Sequence, residues 1–243
     1  MIEPVLPHPV QGSRSAPSHF QGLDFLRGVA AIAVVVFHFA SRLDLHGLFD
    51  HGYLAVDFFF ALSGYVLESA YGPRFRSREL RLRSFCIQRG IRLMPLVVFG
   101  TLLAGFVDLF RRGDFEVAQH VVDICITGIV GMMLLPTLWR TTLEDTTYPL
   151  NGPVWSLSFE LLANICHALL FRSRRNNFII VVLMLGSLSL LVHTAWFTHG
   201  VHVGTHRETL FLGFARVAWS YFMGVLLMRF GHRVRSMNKW FYA

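Results

Sequence analysis

Seven apolar segments, near residues 22–41, 52–71, 92–110, 121–138, 153–171, 177–196 and 209–230, follow one another along the chain with short polar connections. Most approach the roughly 20 residues that an α-helix needs to cross a hydrocarbon core. In a bilayer the backbone amides must be satisfied within the protein, and segments of this length do so as helices. The chain is thereby restricted to an all-α fold, a polytopic transmembrane helical bundle. Its composition agrees, with 53% hydrophobic and 15% charged residues, against about a quarter charged in soluble domains. No soluble domain and no inverted repeat is visible. Residues 1–20, polar and dotted with proline, read as a short disordered cytoplasmic tail without the pattern of a cleavable leader. The first apolar helix then serves as the insertion signal, and residues 21–243 read as one membrane domain.

Charge orients the bundle. The net charge of +7 is almost wholly arginine, Lys239 being the one lysine. The arginines cluster between apolar runs, a pattern of cytoplasmic retention and not of a nucleic-acid patch. The connection 72–92 carries Arg74, Arg76, Arg78, Arg81, Arg83, Arg89 and Arg92, so it is assigned to the cytoplasm together with the N-terminus. Arg172, Arg174 and Arg175 ask for the same side, as do Arg229, Arg233, Arg235 and Lys239. Seven full spans would put both later clusters outside, whereas six put both inside. The segment to demote is 121–138, because Asp123 interrupts it and only Ile124–Leu135 is continuous, too short for a span. The expectation is about six spans plus one re-entrant or interfacial segment, with Asn151–Ser156 opening its helix from the extracytoplasmic side.

Ionisable groups inside spans are costly and count as functional hypotheses. Arg27 and His38 share the first span. At 100° per residue, eleven steps return to within about 20° of the same face, roughly 16 Å further along the axis. Asp24, three residues before Arg27, joins that stripe. His38 reads either as a neutral histidine satisfied inside the bundle or as a general base, its unperturbed pKa being close to working pH. Arg27 cannot be a base; it would bind an anion or orient a carbonyl.

Asp57 reads as an interfacial cap, an arginine's partner or a site residue, and Ser63 and Gly64 as residues for close helix packing. Arg89 and Arg92, three apart before Pro95, face one way at the cytoplasmic mouth. There they suit phosphates or simply mark topology. The arginines from Arg74 to Arg83 read as solvated or in contact with lipid headgroups.

In Asn151–Glu160, Gly152-Pro153 marks the turn into a helix and Trp155 suits the membrane interface. Ser156 and Glu160 share a face. Glu160 must be paired, protonated or aimed into a polar cavity, and His167 lies on its side of the helix. Glu68, Arg216 and His193 read as satisfied within the bundle or snorkelling. Cys86, Cys125 and Cys166 read as packing residues, and neither they nor His199, His202 and His206 have ligand spacing. No metal and no permanently bound cofactor is expected.

These constellations, in this order, resemble the acyltransferase 3 family of bacterial integral-membrane acyltransferases. The likeness rests on Arg27 with His38, the Asp57–Gly64 stretch, Arg89 and Arg92 with Pro95, and Pro153-Val154-Trp155-Ser156-Leu157 with Glu160, over roughly residues 20–172. It implies transfer of an acyl group, often acetyl, from cytoplasmic acyl-CoA to a hydroxyl of a carbohydrate acceptor such as a cell-surface polysaccharide. The setting it implies is the bacterial inner membrane, with a multi-pass chain in contact with the lipid bilayer.

By that resemblance His38 is the catalytic base or acyl relay, and Arg27 supports the donor. Arg89 and Arg92 hold the CoA phosphates, while Glu160 and the Trp155-Ser156 turn shape the acceptor side. The resemblance also implies further membrane helices after the segment 209–230. Residues 21–243 then read as a membrane acyltransferase domain without the family's C-terminal helices, for which a homo-oligomer is one way to complete the site. The competing reading is a proton-coupled transporter or flippase of a sugar or lipid-linked substrate, with Arg27, His38 and Glu160 as its relay. The lack of a broken-helix pair weighs against it.

Overall fold

The structure, a computed structural model, describes residues 21–243 except 44, 46, 48–50, 78, 112–116, 171–176, 199–202 and 242–243. The tail 1–20, the cluster Arg172, Arg174 and Arg175, and His199 and His202 lie outside the described residues. Of Arg233, Arg235 and Lys239 only the helical backbone is described.

Seven helices follow in order: α1 Gln21–Arg42, α2 Leu54–Arg76, α3 Leu82–Arg111, α4 Val117–Met132, α5 Val154–Leu170, α6 Asn177–Thr198 and α7 Leu210–Phe241. There is no strand among the described residues. Five helices (α1, α2, α3, α6 and α7) are long and apolar enough to cross a membrane. The 17 residues of α5 rise about 26 Å, at the lower edge of a span. The 30 residues of α3 rise about 45 Å. That exceeds the hydrocarbon core, so its basic first turns, expected as loop, project as helix beyond the apolar layer.

The demoted segment behaves as its Asp123 suggested. The chain leaves α4 through a turn at Leu134, whose φ is +59°, and runs back without regular structure to the start of the same helix. Thr142 N–H donates to Asp123 Oδ2 (2.8 Å) and the Thr142 hydroxyl meets His120 Nδ1 (2.9 Å). His120 in turn pairs with Asp108 near the end of α3 (3.0 Å). The helix and its irregular return lie side by side, so α4 does not reverse the direction of the bundle. Along the return Leu134 and Thr137 are buried, while Met133, Leu135 and Leu138 face outward.

Contacts between helices carry the same parity. Along α2, residues 57, 64 and 68 meet residues 216, 221 and 229 of α7 in increasing order. Residues 63 and 68 meet 160 and 167 of α5, again in increasing order. Helices α2, α5 and α7 therefore run parallel, as six crossings demand and seven forbid. Close approach is possible because Gly64 and Gly224 face backbone. A Cβ on Gly64 would lie 2.1 Å from the Tyr221 carbonyl oxygen, and one on Gly224 would lie 1.8 Å from that of Ala61. Around this seam sits the main core, including Phe60, Val154, Trp155, Phe159, Val217, Tyr221 and Val225. Helix α1 leans on α2 at the periphery and turns Phe25, Val29, Ile32, Val35 and Phe39 outward.

Candidate active site

The stripe expected on α1 forms one wall of two adjoining cavities. Residues Arg27, Ala31 and Val34 line the first, of about 410 Å³, and Val34, Phe37, His38 and Ser41 line the second, of about 240 Å³. The steps of four, three and four residues keep these side chains on one helical face. Val34 of α1 and Val56 of α2 border both cavities. Two cavities thus adjoin along α1 from Arg27 to His38, with two valines in the wall they share.

The first cavity gathers the groups that the sequence placed far apart. Arg27 from α1, Ser63 from α2, Arg89 and Arg92 from α3, and Ser156 and Glu160 from α5 all line it. Arg27 Nη1 donates to Asp24 Oδ1 at 2.7 Å, within its own helix. Ser63 Oγ donates to Glu160 Oε1 at 2.6 Å across α2 and α5. So Glu160 is both partnered and aimed into a polar cavity, and Ser63, read as a packing residue, has a second task. Arg89 lies over the rings of Tyr71 and Phe85, each about 5.7 Å from its centroid, and its buried Nε finds no protein acceptor. Arg92 is exposed. Three guanidiniums stand here against two carboxylates, Glu160 and the Asp24 that pairs with Arg27, so this end carries a net positive charge. It lies at the arginine-rich end of the bundle.

The second cavity lies at the opposite end. It is walled by His38 and Tyr53, by Trp155 at the start of α5, and by Glu144, Thr146, Thr147, Tyr148, Thr205 and His206 from two connections. Those connections are tied together: Thr147 N–H and its hydroxyl both donate to the Thr205 carbonyl at 2.9 Å, and Thr137 N–H donates to the Thr147 carbonyl at 2.8 Å. Tyr148 donates to Ser158 or the Leu134 carbonyl. Burial pushes its phenol up, partly opposed by the Ser158 contact, so the hydroxyl remains a donor. Of these loop residues only His206 was named from the sequence, and then as lacking ligand spacing; a polar stretch of threonines carries no signal beyond its turn-forming composition.

One expectation needs correction. Trp155 does not sit in an outer interfacial belt. It is 8% exposed, packed edge-on against Phe60 and Phe159, because α5 begins inside the bundle beneath the loop. Asp57 takes one of the readings open to it from the sequence, that of an arginine's partner. It accepts from Arg216 Nε (2.9 Å) and Nη2 (2.8 Å), while Nη2 also donates to the Tyr53 carbonyl at 2.7 Å. The guanidinium packs over the Tyr53 and Trp155 rings as well. Of the two readings for Arg216, satisfied or snorkelling, the first holds. Among the arginines expected in solvent, Arg74, Arg81 and Arg83 are exposed, but Arg76 turns inward onto Glu68 at 2.7 Å. The largest cavity, about 1180 Å³ between α2, α6 and α7, is mostly apolar and contains none of Arg27, His38, Arg89, Arg92 or Glu160.

Among the described residues no group of three or more histidines, cysteines or carboxylates could hold a metal ion. The chemistry available is that of a cationic pocket, a hydrogen-bonded carboxylate and an imidazole along two adjoining cavities.

Comparison with known proteins bears on this arrangement. The family described as an acyltransferase domain, acyltransferase 3, matches residues 20–243. The chain is 32% identical over 193 residues to Protein 2 in picA locus of Rhizobium radiobacter, covering 76% of this chain and 100% of that protein. It is 27% identical over 219 residues to the O-acetyltransferase OatA of Staphylococcus aureus (strain NCTC 8325 / PS 47), covering 82% of this chain and 34% of that protein. Against OatA, then, it spans about a third of the relative's length. No solved structure matches. The family and the relative's name support a transferase activity for a multi-pass membrane protein. With the match covering all but the first residues, and with Arg27, His38, Arg89, Arg92 and Glu160 gathered along two adjoining cavities, the chain belongs to the acyltransferase 3 family.

Proposed function

We propose that the chain is an integral-membrane O-acyltransferase that moves an acyl group, acetyl in the simplest case, from cytoplasmic acyl-CoA to a hydroxyl of a carbohydrate acceptor. The observation that carries this reading is the pair of adjoining cavities along α1, the cationic one at one end and that of His38 at the other. The arginine-rich end faces the cytoplasm, which is where acyl-CoA is found. Arg89 and Arg92 hold the phosphates through charge-assisted hydrogen bonds, and Arg27 supports the donor beside them. The pantetheine arm carries the thioester past Val34 and Val56 to His38.

At the other end, Tyr53 and Trp155 offer ring faces and Ser41, Glu144, Thr146 and His206 offer polar groups to a sugar. His38 takes the acceptor's hydroxyl proton as general base. The oxygen attacks the carbonyl carbon, the C–S bond breaks as the C–O bond forms, and the proton ends on the thiol. No permanently bound cofactor enters the scheme.

The test is turnover of acetyl-CoA by the purified protein in lipid, with a saccharide acceptor. Thiol release and an acceptor heavier by one acetyl group are expected, and both are lost in His38→Ala. Acetylation unchanged in that variant would refute the assignment. Movement of a sugar across the bilayer without thioester cleavage would instead favour the transporter reading.

A further inference from the structure

The second cavity holds two imidazoles, and the scheme above gives a chemical step to one of them, His38. The other, His206, comes from the turn that leads into α7. Its Nδ1 lies 2.9 Å from the Asp145 backbone carbonyl. A carbonyl oxygen can only accept, so Nδ1 carries the proton and donates. In the neutral ring this fixes the tautomer and leaves the lone pair on Nε2. Asp145 presents its carbonyl to the ring and turns its carboxylate to Arg207. With a neutral partner at Nδ1, the ring is set up to accept a hydrogen bond at Nε2 and not to hold a charge.

The turn that carries the ring is tied on several sides. Arg207 Nε donates to the Thr137 carbonyl at 3.3 Å, and Thr209 N–H donates to the His206 carbonyl at 3.2 Å. Thr205, the residue before His206, is bound by Thr147 from the other connection. Gly204, at φ +103°, lets the turn close on α7 and α5: a Cβ there would lie 2.9 Å from the Gly213 Cα and 3.3 Å from the Trp155 ring. The imidazole is thereby fixed in the wall of a cavity of about 240 Å³. Pockets for drug-sized ligands run from roughly 300 to 1,000 Å³, so this one suits a single sugar ring. Groups that line it together address that same ring.

We propose that His206 recognises the acceptor: Nε2 accepts a hydrogen bond from a second hydroxyl of the sugar whose first hydroxyl gives its proton to His38. The proposal rests on the acyl-transfer reading and narrows its acceptor class. The acylated ring must keep another free hydroxyl, and a ring with hydrogen at that position is discriminated against because the fixed acceptor atom is left unpaired.

The test uses the full chain in lipid with acetyl-CoA and a panel of methyl glycosides, each with its monodeoxy forms. His206→Asn keeps an N–H for the Asp145 carbonyl and has no atom at the Nε2 position. We expect it to raise KM for the glycoside about three- to tenfold, the worth of one neutral hydrogen bond, with kcat and KM for acetyl-CoA nearly unchanged. His206→Gln, whose amide oxygen reaches further, should recover most of the loss. One monodeoxy glycoside should show the same rise with the parent protein and no further rise with His206→Asn, since the contact is then already gone. If His206→Asn keeps the parent's KM for every glycoside, or no deoxy form loses less with the variant than with the parent, the assignment is overturned and acyl transfer stands. A fall in kcat at constant KM overturns it as well, because His206 would then act as a base. A parent protein that releases no thiol and acetylates none of the glycosides overturns both.

Discussion

Replacing Arg216 with leucine should destabilise the bundle far more than replacing Arg216 and Asp57 together. Arg216 is 2% exposed and its Asp57 partner 20% exposed. Its guanidinium makes contacts of 2.9, 3.1 and 2.8 Å to the carboxylate and one of 2.7 Å to the Tyr53 carbonyl. Removing one partner of a buried pair costs about 3–5 kcal/mol, because the remaining charge is left uncompensated. At about 2–4 °C per kcal/mol for a chain of this size, the melting temperature falls by roughly 6–20 °C. The Asp57 side chain is one-fifth exposed, which favours the lower half of that range.

The double variant Asp57→Leu with Arg216→Leu leaves no stranded charge and should recover most of the loss, a coupling of about 2 kcal/mol or more. The assay is thermal loss of the monodisperse peak of a fluorescent fusion in detergent. If the single variant melts within about 2 °C of the parent, or if the double variant loses the sum of the two singles, the pair does not hold α2 to α7 as described.

Two further outcomes follow from the same geometry. Arg89→Ala and Arg92→Ala should each raise KM for acetyl-CoA by about tenfold or more with kcat nearly retained, since a charge-assisted hydrogen bond contributes about 1.5–3 kcal/mol. Initial rates of thiol release check this, and a fall in kcat at constant KM would move these residues out of donor binding. Gly224→Ala should abolish the folded peak, because the added methyl meets the Ala61 carbonyl oxygen at 1.8 Å. Gly231→Ala, on the same helix with nothing within 4 Å, should leave that peak unchanged.

Periodicity and charge made a large part of this molecule legible. The face shared by Arg27 and His38 follows from 100° per residue, and the two cavities follow that face. The parity of the arginine clusters, with Asp123 and the short apolar run after it, led to the expectation that α4 does not cross, and Thr142 returns the chain to Asp123 at the start of that helix. What could not be read was which face meets which. Ser63 finds Glu160 across 97 residues, Glu68 finds His167 across 99, and Asp57 finds Arg216 across 159. A helical repeat reports the direction of a side chain but not its partner. Trp155 illustrates the same limit: a tryptophan at a helix start suits an exposed belt and a buried ring stack equally well by composition. The loop residues of the second cavity left no periodic trace because they belong to no helix.

The parallel packing of α2, α5 and α7 also has a consequence for biogenesis. Helix α2 enters the bilayer with Asp57 and Glu68 already in place, while Arg216 and Arg229 emerge about 160 residues later. At the 5–20 residues per second of ribosomal synthesis, Asp57 waits roughly 8–30 s for Arg216, whereas Glu68 already has Arg76 on its own helix. During that interval the half-made protein carries in Asp57 a carboxylate whose partner has yet to be made. Synthesis of Arg216 therefore closes the α2–α7 pair, and any chain arrested before it presents an unpaired Asp57 to the quality-control machinery of the membrane.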